Sequence, residues 1–129
     1  MPNHTTQYRL ADWKESPLFE RDDKVKVTRV DAEFNYEGEL EGSAFLGYLM
    51  FYAADGTGTY SGWERFTGTF HGLPGEVILA HQGSFDAQAV RAKVSAVPGT
   101  GTGSLTGIGL GYEVRFEGHG PYPLTLEVE

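Results

Sequence analysis

The chain has 129 residues, 40% of them hydrophobic and 13% aromatic, which is enough for the core of one domain and excludes a disordered chain. Its formal net charge is −8, from 10 Lys and Arg against 18 Asp and Glu, and the basic residues are scattered singly, which excludes a nucleic-acid surface built on clustered cations. Cysteine is absent, so disulfides, thiol nucleophiles and Cys-based metal sites are excluded, and no apolar run approaches the ~20 residues of a membrane span.

Residues 1–23 are polar and mixed, with Trp13, Leu18 and Phe19 as large apolar anchors and Pro17 limiting any helix. They are expected to form an irregular N-terminal arm that packs on a domain spanning residues 24–129. From Lys24 the pattern alternates at period two. Val25 and Val27 are odd, whereas Val30, Ala32, Phe34, Tyr36 and Leu40 are even, which predicts a β-bulge near Arg29. In the next strand, residues 43–52, Phe45, Leu49 and Phe51 face one way and Leu46, Tyr48, Met50 and Tyr52 the other. A strand apolar on both sides is covered on both sides, so the arm or a further copy is expected outside it.

Asp55-Gly56 predicts a hairpin turn. Residues 59–71 form a strand with Tyr60, Gly62, Glu64, Phe66, Gly68 and Phe70 on one face, and residues 72–75 a turn. Strands are expected at 77–85, 90–97, 104–110, 112–116 and 122–128, with a tight loop at residues 98–103.

A short glycine frame recurs as Gly38-Glu39-Leu40-Glu41-Gly42, Gly68-Thr69-Phe70-His71-Gly72 and Gly103-Ser104-Leu105-Thr106-Gly107. Glycines at strand period mark bends, bulges or close backbone approaches, the devices that make a sheet curl and close. The fold class is therefore all-β, a single closed antiparallel β-barrel of about eight strands, with a sandwich as the alternative.

The first frame, the run at 60–70 containing Gly62-Trp63-Glu64-Arg65-Phe66, the run at 97–105 and the opening Ala11-Asp12-Trp13-Lys14-Glu15 come in an order that resembles an uncharacterised bacterial family of unknown function. That family is grouped with the allene oxide cyclase-like barrels. The resemblance implies a closed antiparallel barrel able to associate as an oligomer, and supplies no activity. Allene oxide cyclases themselves close a ring by holding a reactive fatty-acid epoxide in an apolar cavity. No motif carries that chemistry over residue by residue.

Among candidate site residues, Glu64 shares its face with Tyr60, Phe66 and Phe70, and desolvation inside a barrel would suit it to general acid or base work. His81, at the parity of Val77 and Leu79, is its expected partner. A buried carboxylate paired with a neighbour and an ordinary core histidine are the plainer readings of the two. Phe34, Tyr36, Tyr48, Tyr60, Phe66 and Phe70 are the candidate ligand-binding residues, lining an interior with apolar walls and polar tips. His71 falls on the outer face, His4 in the arm and His119 in a turn, without metal-ligand spacing, so neither metal nor cofactor is expected. The run at 99–103 lacks the Lys-Ser/Thr and following helix of a phosphate loop, and no nucleophile elbow is present.

These features predict a module that binds a small apolar ligand, with no nucleic-acid or membrane partner, as a homo-oligomer. The alternatives are a cofactor-independent isomerase, cyclase or lyase using Glu64 and His81, and a structural oligomerisation module. Residues 1–15 lack the pattern of a signal peptide, and a cytoplasmic location is expected.

Overall fold

The computed structural model describes residues 4–116 and 122–128. Nine strands are present among them: β1 (His4–Glu20), β2 (Lys26–Gly38), β3 (Leu40–Tyr52), β4 (Gly58–Phe70), β5 (Leu73–Phe85), β6 (Val90–Ala96), β7 (Thr102–Gly103), β8 (Leu110–Phe116) and β9 (Tyr122–Val128). Every pairing is antiparallel. The pairings run β1-β2-β3-β4-β5-β6-β8-β9 and return to β1, so eight strands close a barrel, with β7 outside the ring on β5. The described residues include no helix, and so none long and apolar enough to cross a membrane.

Alternation places the core. Along β2, Thr28, Val30, Ala32, Phe34 and Tyr36 point inward while Arg29, Asp31 and Asn35 face solvent. β3 and β4 repeat this with Leu40, Ala44, Leu46, Tyr48 and Met50, and with Glu64 and Phe66. An eight-stranded barrel is just wide enough for inward side chains to fill it or to leave room for one small ligand.

Three expectations are corrected. Residues 4–20 are not an irregular arm: they form β1, which pairs with both β2 and β9 and closes the ring. The three anchors do not pack as a cover either, since Trp13, Leu18 and Phe19 are 39%, 56% and 55% exposed. The phase slip lies in β1 rather than near Arg29. Register shifts at Ala11 and Leu18 leave one unpaired residue each, while β2 runs unbroken opposite. Crossing Ala11 moves the inward parity from Tyr8 to Trp13. Finally, residues 104–107 are turns rather than a strand, tied by Ser104 N–H to the Pro74 carbonyl (2.8 Å) and Leu105 N–H to that of Thr102 (3.0 Å). Leu105 is nevertheless buried and belongs to the core.

The first two glycine frames sit at one barrel end, where Gly42 pairs with Gly68 across β3 and β4. A Cβ on Gly68 would run into the Glu41 carbonyl oxygen and the Gly42 Cα, so this corner depends on the missing side chain. Outside the barrel Trp63 lies opposite Gly47, with Phe45 and Leu49 nearby on β3; Phe45 and Trp63 are each 63% exposed. Gly47 has open space above it. Gly68→Ala is expected to cost about 1–3 kcal/mol by overpacking. Gly47→Ala should be neutral or stabilise by about 0.4–1 kcal/mol through the unfolded chain. Denaturant midpoints check both.

Candidate functional site

Strand alternation brings five polar side chains from five strands into the barrel interior. Glu64 on β4 is wholly buried, and its register places it between Leu46 of β3 and Leu79 of β5. A carboxylate there has no access to bulk water, so its acceptor sites must be met from within. Its Oε1 receives His81 Nε2 at 2.5 Å, and its Oε2 a short hydrogen bond donated by the Tyr36 hydroxyl. The Tyr36 proton being committed to Glu64, the Tyr112 hydroxyl at 2.9 Å donates to Tyr36. With Nε2–H donating to the carboxylate, the other ring nitrogen of His81, Nδ1, is left to accept from the Tyr48 hydroxyl at 3.1 Å. The result is one chain, Tyr112–Tyr36–Glu64–His81–Tyr48. Among the described residues, no buried side-chain nitrogen or oxygen lacks a partner.

Beside this chain lies a cavity of about 520 Å³, toward the barrel end at which β1 passes to β2, β3 to β4 and β5 to β6. Tyr8, Leu10 and Trp13 of β1, Phe34 of β2, Tyr48, Met50 and Tyr52 of β3, and Tyr60 of β4 form much of its wall, completed by Phe85, Asp86, Val90 and Tyr122. Glycines make room for two of these rings. Tyr48 pairs with Gly62 and Tyr60 with Gly83, and a Cβ on either glycine would strike the tyrosine ring. The rings pack tightly elsewhere, with Tyr8 stacked on Phe34 at 4.5 Å and Tyr48 edge-on to Tyr60 at 5.0 Å.

Glu15 organises the cavity's Trp13 and Tyr52 side. It accepts from the Tyr52 hydroxyl, from Thr28 Oγ1 at 2.7 Å and from Trp13 Nε1 at 3.1 Å. Burial tends to raise its carboxyl, but those hydrogen bonds and the charge of Lys26 outweigh this and hold it below the usual range. In the β5–β6 connection, beside Phe85, Asp86 is lowered by the backbone N–H groups of Gln88 and Ala89.

Of the sequence-derived candidates, Glu64 and His81 meet in one hydrogen bond, and Phe34, Tyr48 and Tyr60 line the cavity. Tyr36 and Phe66 are buried away from its wall, and Phe70 packs against His4 and His71 instead. Glu64 and His81 are also not wall residues; Tyr48 is the member of the chain that is. The β1 contributors Tyr8, Leu10 and Trp13 went unrecognised because the bulge at Ala11 breaks their alternation. The period-two pair Tyr8 and Leu10 was the available signal. His119 lies outside the described residues.

The model of the family of proteins of unknown function DUF3224 matches residues 4–128. The chain belongs to the DUF3224 family. A crystal structure of a DUF3224-family protein of unknown function from Shewanella oneidensis MR-1 superposes with a TM-score of 0.79 at 25% identity, covering 100% of this chain and 96% of that one. No curated protein matches the chain. The DUF3224 fold is thus seen in both, and neither comparison carries an activity.

Burial raises the phenols of this DUF3224 chain. Tyr52 and Tyr60 are each pushed up to about 12, and Tyr8, Tyr36, Tyr48 and Tyr112 are held well above their ordinary value, by burial first and all four also by the nearby charge of Glu64. A raised folded-state value means that folding holds these protons more tightly than the unfolded chain, where tyrosine titrates near about 10. That contribution is complete below about pH 10 and is lost as pH climbs through the folded values. At about pH 11 the folded protein should show little phenolate absorbance from these six, whereas the guanidinium-unfolded chain should show most of it. Spectrophotometric titration of both states checks this.

Proposed function

We propose that this DUF3224 barrel binds a small, largely apolar ligand in the aromatic cavity, as a soluble cytoplasmic protein. The observation that carries the reading is the cavity itself: about 520 Å³, walled by aromatic and aliphatic side chains, with Tyr48 as a polar point backed by His81. Small-molecule sites have this size and make-up, a mostly apolar surface with few convergent polar groups. The apolar wall supplies the driving force by releasing water from both surfaces, and the Tyr48 hydroxyl fixes orientation.

A second reading is favoured by the hydrogen bond between His81 and Glu64. In a cofactor-independent isomerase, cyclase or lyase, Tyr48 would be the group to exchange a proton with substrate. His81 and Glu64 behind it would act as acid and base by returning or removing that proton along the chain. A grouping with allene oxide cyclase-like barrels belongs to this reading and rests on the same aromatic cavity. The expectation of a homo-oligomer is carried by the outward strip of Phe45, Leu49 and Trp63, against which a second copy would bury apolar surface; light scattering reads it.

The neutral fluorophore N-phenyl-1-naphthylamine is a direct probe of the cavity. The protein should bind it with a blue-shifted emission. Met50→Trp, which fills the cavity, should weaken binding by about tenfold or more. Leu49→Trp, one residue along and facing outward, should leave it unchanged. Equal binding by the protein and by Met50→Trp would contradict the cavity as the ligand site.

A further inference from the structure

At the other end of the barrel, away from the cavity, three elements bring two imidazoles and a carboxylate to one point. His4 opens β1, Glu39 sits in the β2–β3 connection and His71 in the β4–β5 turn. His4 Nδ1 and His71 Nε2 each lie 2.9 Å from the same oxygen, Glu39 Oε1, and 3.2 Å from one another. We propose that His4, Glu39 and His71 form a binding site for a first-row divalent transition metal ion of the zinc class.

Ligand atoms about 2.0–2.1 Å from a tetrahedral zinc ion stand roughly 3.3 Å apart, so the three separations already match the edges of a coordination polyhedron to within a few tenths of an ångström. Two histidine nitrogens and one carboxylate oxygen are a donor set suited to Zn²⁺, and one that discriminates against Mg²⁺, which favours all-oxygen, water-rich shells.

The site is held from behind. Thr5 donates its backbone N–H (2.5 Å) and its hydroxyl (3.3 Å) to Glu39 Oε2, which fixes the carboxylate plane and leaves Oε1 for the ion. The connections are tied together by backbone bonds from Glu39 N–H to the Thr5 carbonyl (3.1 Å) and from His71 N–H to that of Glu39 (2.9 Å). The Phe70 ring packs edge-on against both imidazoles, at 5.2 Å from His4 and 4.4 Å from His71. His71 itself holds a left-handed backbone at φ 52°, a conformation that a non-glycine residue adopts at a cost and that aims its ring at the other two ligands.

The His71 side chain is 48% exposed, which leaves the remaining coordination positions open to water or to a ligand from solution. Sequence spacing hides this site, because 35 residues separate His4 from Glu39 and 67 separate it from His71.

The test is calorimetric titration of Zn²⁺ into the full, tag-free chain after chelator dialysis, with Mg²⁺ as the contrasting ion. One Zn²⁺ per chain should bind in the micromolar range or tighter, raise the melting temperature and outcompete Mg²⁺. His4→Gln and His71→Asn should each weaken Zn²⁺ binding by about tenfold or more. Asparagine tolerates the left-handed backbone at position 71, so that variant keeps the turn. Absorption of bound Co²⁺ in the visible range should show nitrogen–oxygen coordination of four or five ligands and vanish in both variants. No binding of Zn²⁺, or binding undiminished in both variants, overturns the proposal.

Discussion

A carboxylate at the centre of a closed barrel is the constraint on which the interior is built. Glu64 is wholly buried, and water cannot reach it. Moving such a group out of water costs several kcal/mol unless hydrogen bonds replace those it loses. His81 and Tyr36 replace them directly, and Tyr48 and Tyr112 satisfy those two in turn. The five side chains come from β2, β3, β4, β5 and β8, so one network braces more than half of the ring. Removing a single partner from a buried pair of this kind costs more than replacing the whole pair with apolar groups, which makes the chain a cooperative unit.

That brace also divides the molecule. On one side, the aromatic wall leaves a cavity whose contact with the network is Tyr48. On the other, Leu40, Phe66 and Leu105 are packed in the core, and the connections above them hold the His4, Glu39 and His71 cluster. The two ends have different chemistry: apolar and aromatic at the cavity, nitrogen and oxygen donors at the turns. The long strands β1 to β5 run between the two ends and keep them apart, and β1 contributes to both, with His4 in the cluster and Trp13 in the cavity wall.

Much of the barrel was legible in the sequence because period-two alternation is a strong signal wherever a strand has one wet face. Parity groups Phe34 with Tyr36 and Glu64 with Phe66, and the glycine frames supply the alignment that puts the Glu64 face inside with them. β1 was not legible, for a physical reason. Its bulges at Ala11 and Leu18 reverse parity twice, its outer residues are polar, and Pro17 imitates a break. The third glycine frame misled because turns around Leu105 share the spacing of a strand without its hydrogen bonds. Contacts between distant elements were also hidden. Parity placed Glu64 and His81 on inner faces, but register sets which partner each one meets, as with Leu79 beside Glu64 on β5.

The cavity and the buried chain meet at Tyr48, and a ligand in one is felt by the other through its hydroxyl. Long-range proton–nitrogen NMR of His81 tests it most directly, recorded with the cavity empty and then filled with N-phenyl-1-naphthylamine. The expected result is an Nε2-protonated ring whose Nδ1 resonance shifts when the probe enters, with His71 unmoved, and whose shift is abolished by Tyr48→Phe. A His81 signal that stays fixed while the cavity fills, or that moves equally in Tyr48→Phe, would contradict it.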